Sequence, residues 1–227
     1  MNINFKYFSK GEWALWISSI VFIIVSFFAF GREGYLSLAA SLIGATSLIY
    51  CAKGNPIGQV LMIIFGALYG IISYSFAYFG EMITYLGMTV PMAIVALVTW
   101  LKNPYKNNKS EVAVNKISKK ETVFMLGLSV VVTIVFYFIL KIWGTANLIP
   151  STVSVTTSFI AAYLTFRRSP YYALVYAMND VVLIVLWILA ALSDISYVSV
   201  VVCFVAFLVN DLYGFINWRK MQRRQSA

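Results

Sequence analysis

PYYALVYAMNDVVLIVLWILAALSDISYVSVVVCFVAFLVNDLYGFINW, residues 170–218, decides how the chain is read. Two apolar runs, each long enough to cross a bilayer as a helix, meet at the polar turn Ser193-Asp194. Each run carries one Asn-Asp pair in its interior: Asn179-Asp180 in the first, Asn210-Asp211 in the second. Ionisable groups inside such runs are costly and point to function. Counted from Tyr171, Asp180 lies roughly 14 Å along a helix that rises about 1.5 Å per residue. That is near the middle of a hydrocarbon core about 30 Å thick. Asp211 lies roughly 10 Å from Trp218 on the same measure.

The rest of the chain is built to the same plan. Of 227 residues, 61% are hydrophobic and only 11% are charged, which excludes a soluble domain of this size. Eight apolar runs can be drawn, at 13–30, 35–52, 57–79, 84–101, 122–143, 149–166, 171–192 and 196–218. Each has about the 17–25 residues of a membrane helix. The first is long for a signal-peptide core and lacks a small-residue cleavage site, so it is read as a helix. Fifteen of the 17 Lys and Arg residues then fall on one side. They comprise Lys6 and Lys10, Lys53, six lysines between 102 and 120, Arg167 and Arg168, and four basic residues after Trp218. Only Arg32 and Lys141 fall on the other. The positive-inside rule predicts both termini in the cytoplasm. The net charge of +9 is accordingly a topology signal rather than a nucleic-acid footprint.

The runs also suggest a repeat. The second run ends Tyr50-Cys51-Ala52-Lys53-Gly54-Asn55-Pro56, and the sixth ends Leu164-Thr165-Phe166-Arg167-Arg168-Ser169-Pro170. Both are a helix end, a basic turn, and a proline suited to the first turn of the next helix. Each is followed by a long run, a short turn and a last run ending near Trp100 or Trp218. Three helices reverse direction, so a linker helix is needed to make two such repeats parallel, and the fifth run supplies it. The expected organisation is an N-terminal segment with an extra helix (1–34), a first three-helix repeat (35–101), a Lys-rich loop and linker helix (102–148), a second repeat (149–218) and a basic tail (219–227). The fold class is all-α and polytopic, with eight helices arranged as 1+3+1+3. Parallel repeats are a transporter plan, with the substrate between them.

Helical spacing places Tyr176, Asp180, Leu183 and Trp187 along one stripe, and Asn210, Gly214 and Asn217 along another with Asp211 and Trp218 beside it. In the third run Gln59, Gly66, Tyr69, Gly70 and Ser73 share a side. Gly66 and Gly70 provide either close helix packing or room for a ligand. No Lys or Arg lies at the depth of the aspartates. The carboxylates are therefore protonated, hydrogen-bonded in a wet cavity, set against a cationic ligand, or joined helix to helix through the two Asn-Asp pairs. Amides, carboxylates and aromatics at one depth suit a flat ligand with polar edges.

Several classes drop out. There is no histidine, so neither a His-based metal site nor a Ser-His-Asp triad exists. Cys51 and Cys203 lack metal spacing and are expected in opposite halves of the membrane, too far apart for a disulfide. No cofactor is expected. There is no P-loop. The two aspartates lack the Gly-x-Gly-Asp context of an intramembrane aspartyl protease, and no enzyme is expected.

The stretches GNPIGQVLMIIFGALYGIISYSFAYFGEMITYLGMTVPMA (54–93), WLKNPYKNNKSEV (100–112), NDVVLIVLW (179–187) and NDLYGFINWRKM (210–221) resemble the PnuC family of nicotinamide riboside transporters. That resemblance spans roughly 35–221 and implies a SWEET-like fold, with the first helix added before a seven-helix core. It implies facilitated diffusion of nicotinamide riboside across a bacterial inner membrane, trapping by cytoplasmic phosphorylation, and a homotrimer. Relatives that carry thiamin, riboflavin or deoxynucleosides keep those substrates open, and a proton-coupled carrier using Asp180 or Asp211 is the alternative mechanism. A non-transporting receptor is a further alternative, against which stands the lack of any sizeable soluble segment. Where many members have two tryptophans three apart, this chain has Trp187 flanked by Ile184 and Ala190. The residues expected to meet the substrate are Asn179, Asp180, Asn210, Asp211, Trp187, Tyr176, Tyr213, Gln59 and Tyr69. The flat cationic pyridinium suits Trp and Tyr faces, and Asn and Gln suit its carboxamide and ribose.

Overall fold

The computed structural model describes residues 7–30, 34–75, 79–145 and 147–227. Lys6, Arg32 and the end of the third run at 76–78 lie outside the described residues. Among the described residues, eight helical spans are long and apolar enough to cross a membrane. They are α1 (Lys10–Phe30), α2 (Tyr35–Ala52), α3 (Pro56–Ser75), a composite of α4 (Phe79–Thr84), a π turn (Tyr85–Thr89) and α5 (Val90–Lys102), then α6 (Lys119–Ile142), α7 (Leu148–Phe166), α8 (Tyr172–Ala191) and α9 (Val198–Ser226). Large apolar side chains such as Phe22, Val123, Phe124, Ile134 and Val181 are exposed on their outer faces. Hydrocarbon is the environment in which such faces are stable, because a helix satisfies its own backbone.

The repeat is visible atom by atom at its turns. Gly54 and Arg168 both take the left-handed conformation, at φ 66° and 58°. In each turn the next residue donates its N–H five residues back, Asn55 to the Tyr50 carbonyl and Ser169 to that of Leu164. This is a Schellman C-cap. The same residue's side chain then opens the following helix: Asn55 Oδ1 accepts from Ile57 N–H at 3.0 Å, Ser169 Oγ from Tyr171 N–H at 3.4 Å. Pro56 and Pro170 follow where no N–H is needed. Glycine suits the first turn, whereas Arg168 holds that conformation against a Cβ penalty.

The Lys-rich segment, expected as a loop, is an ordered clasp. Pro104–Tyr105 (β1) and Asn108–Val112 (β2) pair antiparallel. Lys106 and Asn107 turn the hairpin with φ of 48° and 61°, the signature of a type I′ turn. Val112 N–H donates to the Gly54 carbonyl, and Asn115 N–H to the Arg168 carbonyl. The hairpin and the residues after it therefore hold the equivalent turn of each repeat. Tyr7 and Gln225 also reach this segment, Tyr7 at Ser110 and Gln225 at Val112 and Val114. The first and last described segments thus meet at the same basic end of the bundle. Residues 219–226, expected as a tail, continue α9, and Arg224 pairs with Glu111.

The composite span has a local cause. Pro91 has no N–H to offer the carbonyl four residues earlier, and its ring crowds that turn. The chain widens into the π turn, closed by Val90 N–H on the Tyr85 carbonyl. Gly66 and Gly70 pack against this stretch: a Cβ would stand 2.9 Å from Val90 Cγ2 and 2.5 Å from Leu86 Cγ, respectively. The two glycines thus provide close packing. The core divides into a cluster at the basic end around Trp100, Tyr172, Trp218 and Val112, and a cluster at the opposite end around Phe65, Tyr69, Trp187 and Phe207. Cys51 belongs to the first and Cys203 to the second.

Candidate functional site

Both repeats contribute to one narrow cavity. Leu48 and Cys51 come from α2, Gln59 and Met62 from α3, and Thr89, Met92, Ala93 and Ala96 from the π turn and α5. Ala162 and Thr165 come from α7, Tyr172 and Tyr176 from α8. It has space for little more than a water molecule, so this is a closed arrangement. Gln59 is delivered to it by the proline-started first turn of α3. Its side chain is 3% exposed and donates from Nε2 to Cys51 Sγ at 3.3 Å. The Tyr172 and Tyr176 rings meet edge to face with centroids 6.2 Å apart. An amide, two phenols and the Thr89 and Thr165 hydroxyls face apolar walls, and none of the twelve lining residues is charged.

Two indoles close the basic end. Trp100 on α5 donates Nε1–H to the Thr165 carbonyl on α7 at 2.9 Å. Trp218 on α9 donates Nε1–H to the Cys51 carbonyl on α2 at 2.8 Å. The Tyr172 hydroxyl donates to the same Cys51 carbonyl at 3.1 Å. At the opposite end stand Phe65, Tyr69 and Tyr85, with centroid separations of 4.9 to 6.0 Å.

Of the nine residues expected at the site, Gln59 and Tyr176 line the cavity. Asp180 and Asp211 are buried within the adjacent helices α8 and α9. Asp180 Oδ2 and Asn210 Oδ1 are buried with no hydrogen-bond partner among the described residues. The two asparagines do not converge. Asn179 Oδ1 accepts from the Ser154 and Thr157 hydroxyls of α7 at 3.0 and 2.8 Å. Asn210 Nδ2 donates to Ser19 Oγ of α1 at 2.8 Å. Tyr213 also turns to α1, donating to Glu12 Oε1 at 2.7 Å. Tyr69 sits in the aromatic group at the opposite end, and Trp187 packs on Tyr197 with centroids 5.4 Å apart. Cys51, Thr165, Thr89 and Tyr172 escaped the sequence reading. For Cys51 and Thr165 the signal was the repeat itself, since each stands three residues before the left-handed turn residue.

The chain matches the family model described as nicotinamide mononucleotide transporter over residues 34–220. It is 26% identical over 218 residues to the nicotinamide riboside transporter PnuC of Neisseria mucosa, covering 94% of this chain and 83% of that protein. The Haemophilus influenzae protein of the same name is 22% identical over 213 residues, covering 92% of this chain and 90% of that one. A crystal structure of the vitamin B3 transporter PnuC superposes with a TM-score of 0.83 at 24% identity, over 97% of this chain and 95% of that chain. That likeness shows the fold: two parallel three-helix repeats, a linker helix and one added helix.

Proposed function

The chain belongs to the nicotinamide mononucleotide transporter family, and from that membership we propose that it carries nicotinamide riboside across a bacterial inner membrane. The observation that carries the choice of ligand is the lining of the cavity between the repeats. None of its residues is Lys or Arg. A mononucleotide would bring a phosphate with no cation to meet it, and burying an unpaired charge is expensive. The riboside brings a cationic ring, a carboxamide and hydroxyls. Tyr172 and Tyr176 offer π faces to the ring. Gln59 offers donors and an acceptor to the carboxamide or ribose. On this reading the present cavity is the basic-end part of a site near the middle of the membrane, which widens as the repeats separate. The basic end is cytoplasmic, both termini lie there, and three copies assemble as a trimer.

Titrating the purified protein with nicotinamide riboside, nicotinamide mononucleotide, thiamin, riboflavin and deoxynucleosides tests this. The riboside should bind tightest, and Gln59→Ala should weaken it about tenfold, the cost of a lost buried partner. Preference for the mononucleotide, or no effect of Gln59→Ala, would refute the assignment.

The two aspartates buried within α8 and α9 favour a second reading, in which a proton carried by Asp180 or Asp211 is the coupling ion. We hold transport to be facilitated diffusion, driven onward by phosphorylation of the product. Uptake into vesicles without a kinase should therefore stop at the outside concentration. Accumulation beyond it that a protonophore collapses, and that Asp180→Asn abolishes, would establish the coupled reading instead.

A further inference from the structure

The two indole–carbonyl bonds at the basic end form a reciprocal exchange. Trp100 belongs to the last helix of the first repeat and donates to the end of the first helix of the second repeat. Trp218 belongs to the last helix of the second repeat and donates to the end of the first helix of the first. Their acceptors, Thr165 and Cys51, are equivalent in the repeat, each three residues before a left-handed turn residue. The indoles are fully buried and touch each other, with centroids 5.4 Å apart. Tyr172 packs edge-on against Trp218 at 4.9 Å. Val112 of the hairpin, with no exposed surface, belongs to the same cluster. The cavity thus ends at Ala96, Thr165, Cys51 and Tyr172, and a plug of tryptophan stands one turn beyond Ala96.

A carbonyl at a helix end has no donor within its own helix and needs one from elsewhere. The carbonyls of Cys51 and Thr165 each accept one N–H from their own turn, Gly54 and Arg168, and take further donors from the opposite repeat. Separating the repeats at this end must break both indole bonds and leaves each buried Nε1–H without its acceptor. We propose that Trp100 and Trp218 are the gate at the basic end, and that the pathway opens there only when the two indole–carbonyl bonds are given up together. The hairpin backs the plug, because Val112 and Asn115 tie the turns that carry the two acceptor helices.

This rests on the reading that the ligand leaves between the repeats, but its test requires no ligand and so fails separately from the binding titration. Cys51 lines the cavity just inside the plug, whereas Cys203 is buried in the opposite cluster. A water-soluble maleimide, read by mass spectrometry at both cysteines of the full chain in detergent, reports opening at one and general loosening at the other. Trp100→Phe and Trp218→Phe keep an aromatic ring and remove the N–H. Each should raise the rate of Cys51 modification about three- to tenfold, the worth of one buried hydrogen bond in an opening equilibrium. The effects should multiply in the double variant, with Cys203 unchanged. Tyr172→Phe removes another cross-repeat bond, to the Cys51 carbonyl, without changing the ring and should act in the same direction, so it decides the matter if a tryptophan variant fails to fold. Cys51 rates equal to wild type, or a parallel rise at Cys203, would overturn the gate.

Discussion

Gly58→Ala is expected to leave little folded protein. A Cβ at this position would stand 2.5 Å from Cys51 Sγ, 2.6 Å from the Cys51 backbone nitrogen and 2.9 Å from the Ser47 carbonyl oxygen. The sulfur could rotate away, but the two backbone atoms belong to α2 and cannot move without the helix. Overpacking that forces backbone shifts costs about 1–3 kcal/mol, and here the expected loss is at the top of that range or above it. α3 would have to lift off α2, taking Gln59 away from Cys51 and opening the basic-end cluster. Gly127→Ala is the matched control. It lies on α6 with nothing within 4 Å of its Cβ, so helix propensity favours the alanine by about 0.5–1 kcal/mol. Yield of monodisperse protein and thermal unfolding in detergent measure both. A Gly58→Ala protein as stable as wild type would mean that α2 and α3 do not approach this closely.

Gly58 also shows what could be read in advance. The turns around Pro56 and Pro170, the eight spans and the two repeats were legible because each rests on local chemistry: run length, proline at a helix start, basic residues at one end. The direction of the polar side chains was not. Neighbouring residues on a helix point about 100° apart, so an Asn-Asp pair addresses two different neighbours. Asn179 faces α7 and Asn210 faces α1, so the two asparagines part although their pairs lie on adjacent helices. Nothing within 170–218 reveals that α1, which stands outside the repeats, packs on α9. The same gap hid the roles of Tyr213 and Trp187. The π turn had a sign in Pro91, and the hairpin had one in Lys106-Asn107 between short polar segments. Both signs are weak beside the charge count that made the segment look like a loop.

Glu12→Ala is expected to show what holds α1. The carboxylate is 4% exposed and accepts four hydrogen bonds. Lys53 Nζ donates to both oxygens at 3.1 Å, Tyr213 to Oε1 at 2.7 Å and Ser9 N–H to Oε2 at 2.6 Å. Ser9 Oγ accepts from Glu12 N–H in return, a capping box that starts α1. One side chain therefore caps its own helix and ties it to the α2–α3 turn and to α9. Removing one partner of a buried pair costs about 3–5 kcal/mol when the other stays buried. Lys53 keeps 22% of its side chain exposed and lies over the Tyr7 ring at 4.8 Å, so part of its charge is met elsewhere. The expected loss is about 2–3 kcal/mol on that account. Replacing both partners by apolar groups of similar shape is close to neutral for a buried pair. Glu12→Leu with Lys53→Met should therefore recover most of the stability lost in Glu12→Ala, when thermal unfolding of the three proteins is compared. If the double variant is no more stable than the single one, the loss comes from the cap and the Tyr213 contact rather than from the stranded ammonium. α1 would then be held to α9 by hydrogen bonds to Tyr213 and Asn210, and the ion pair to Lys53 would contribute nothing to its docking.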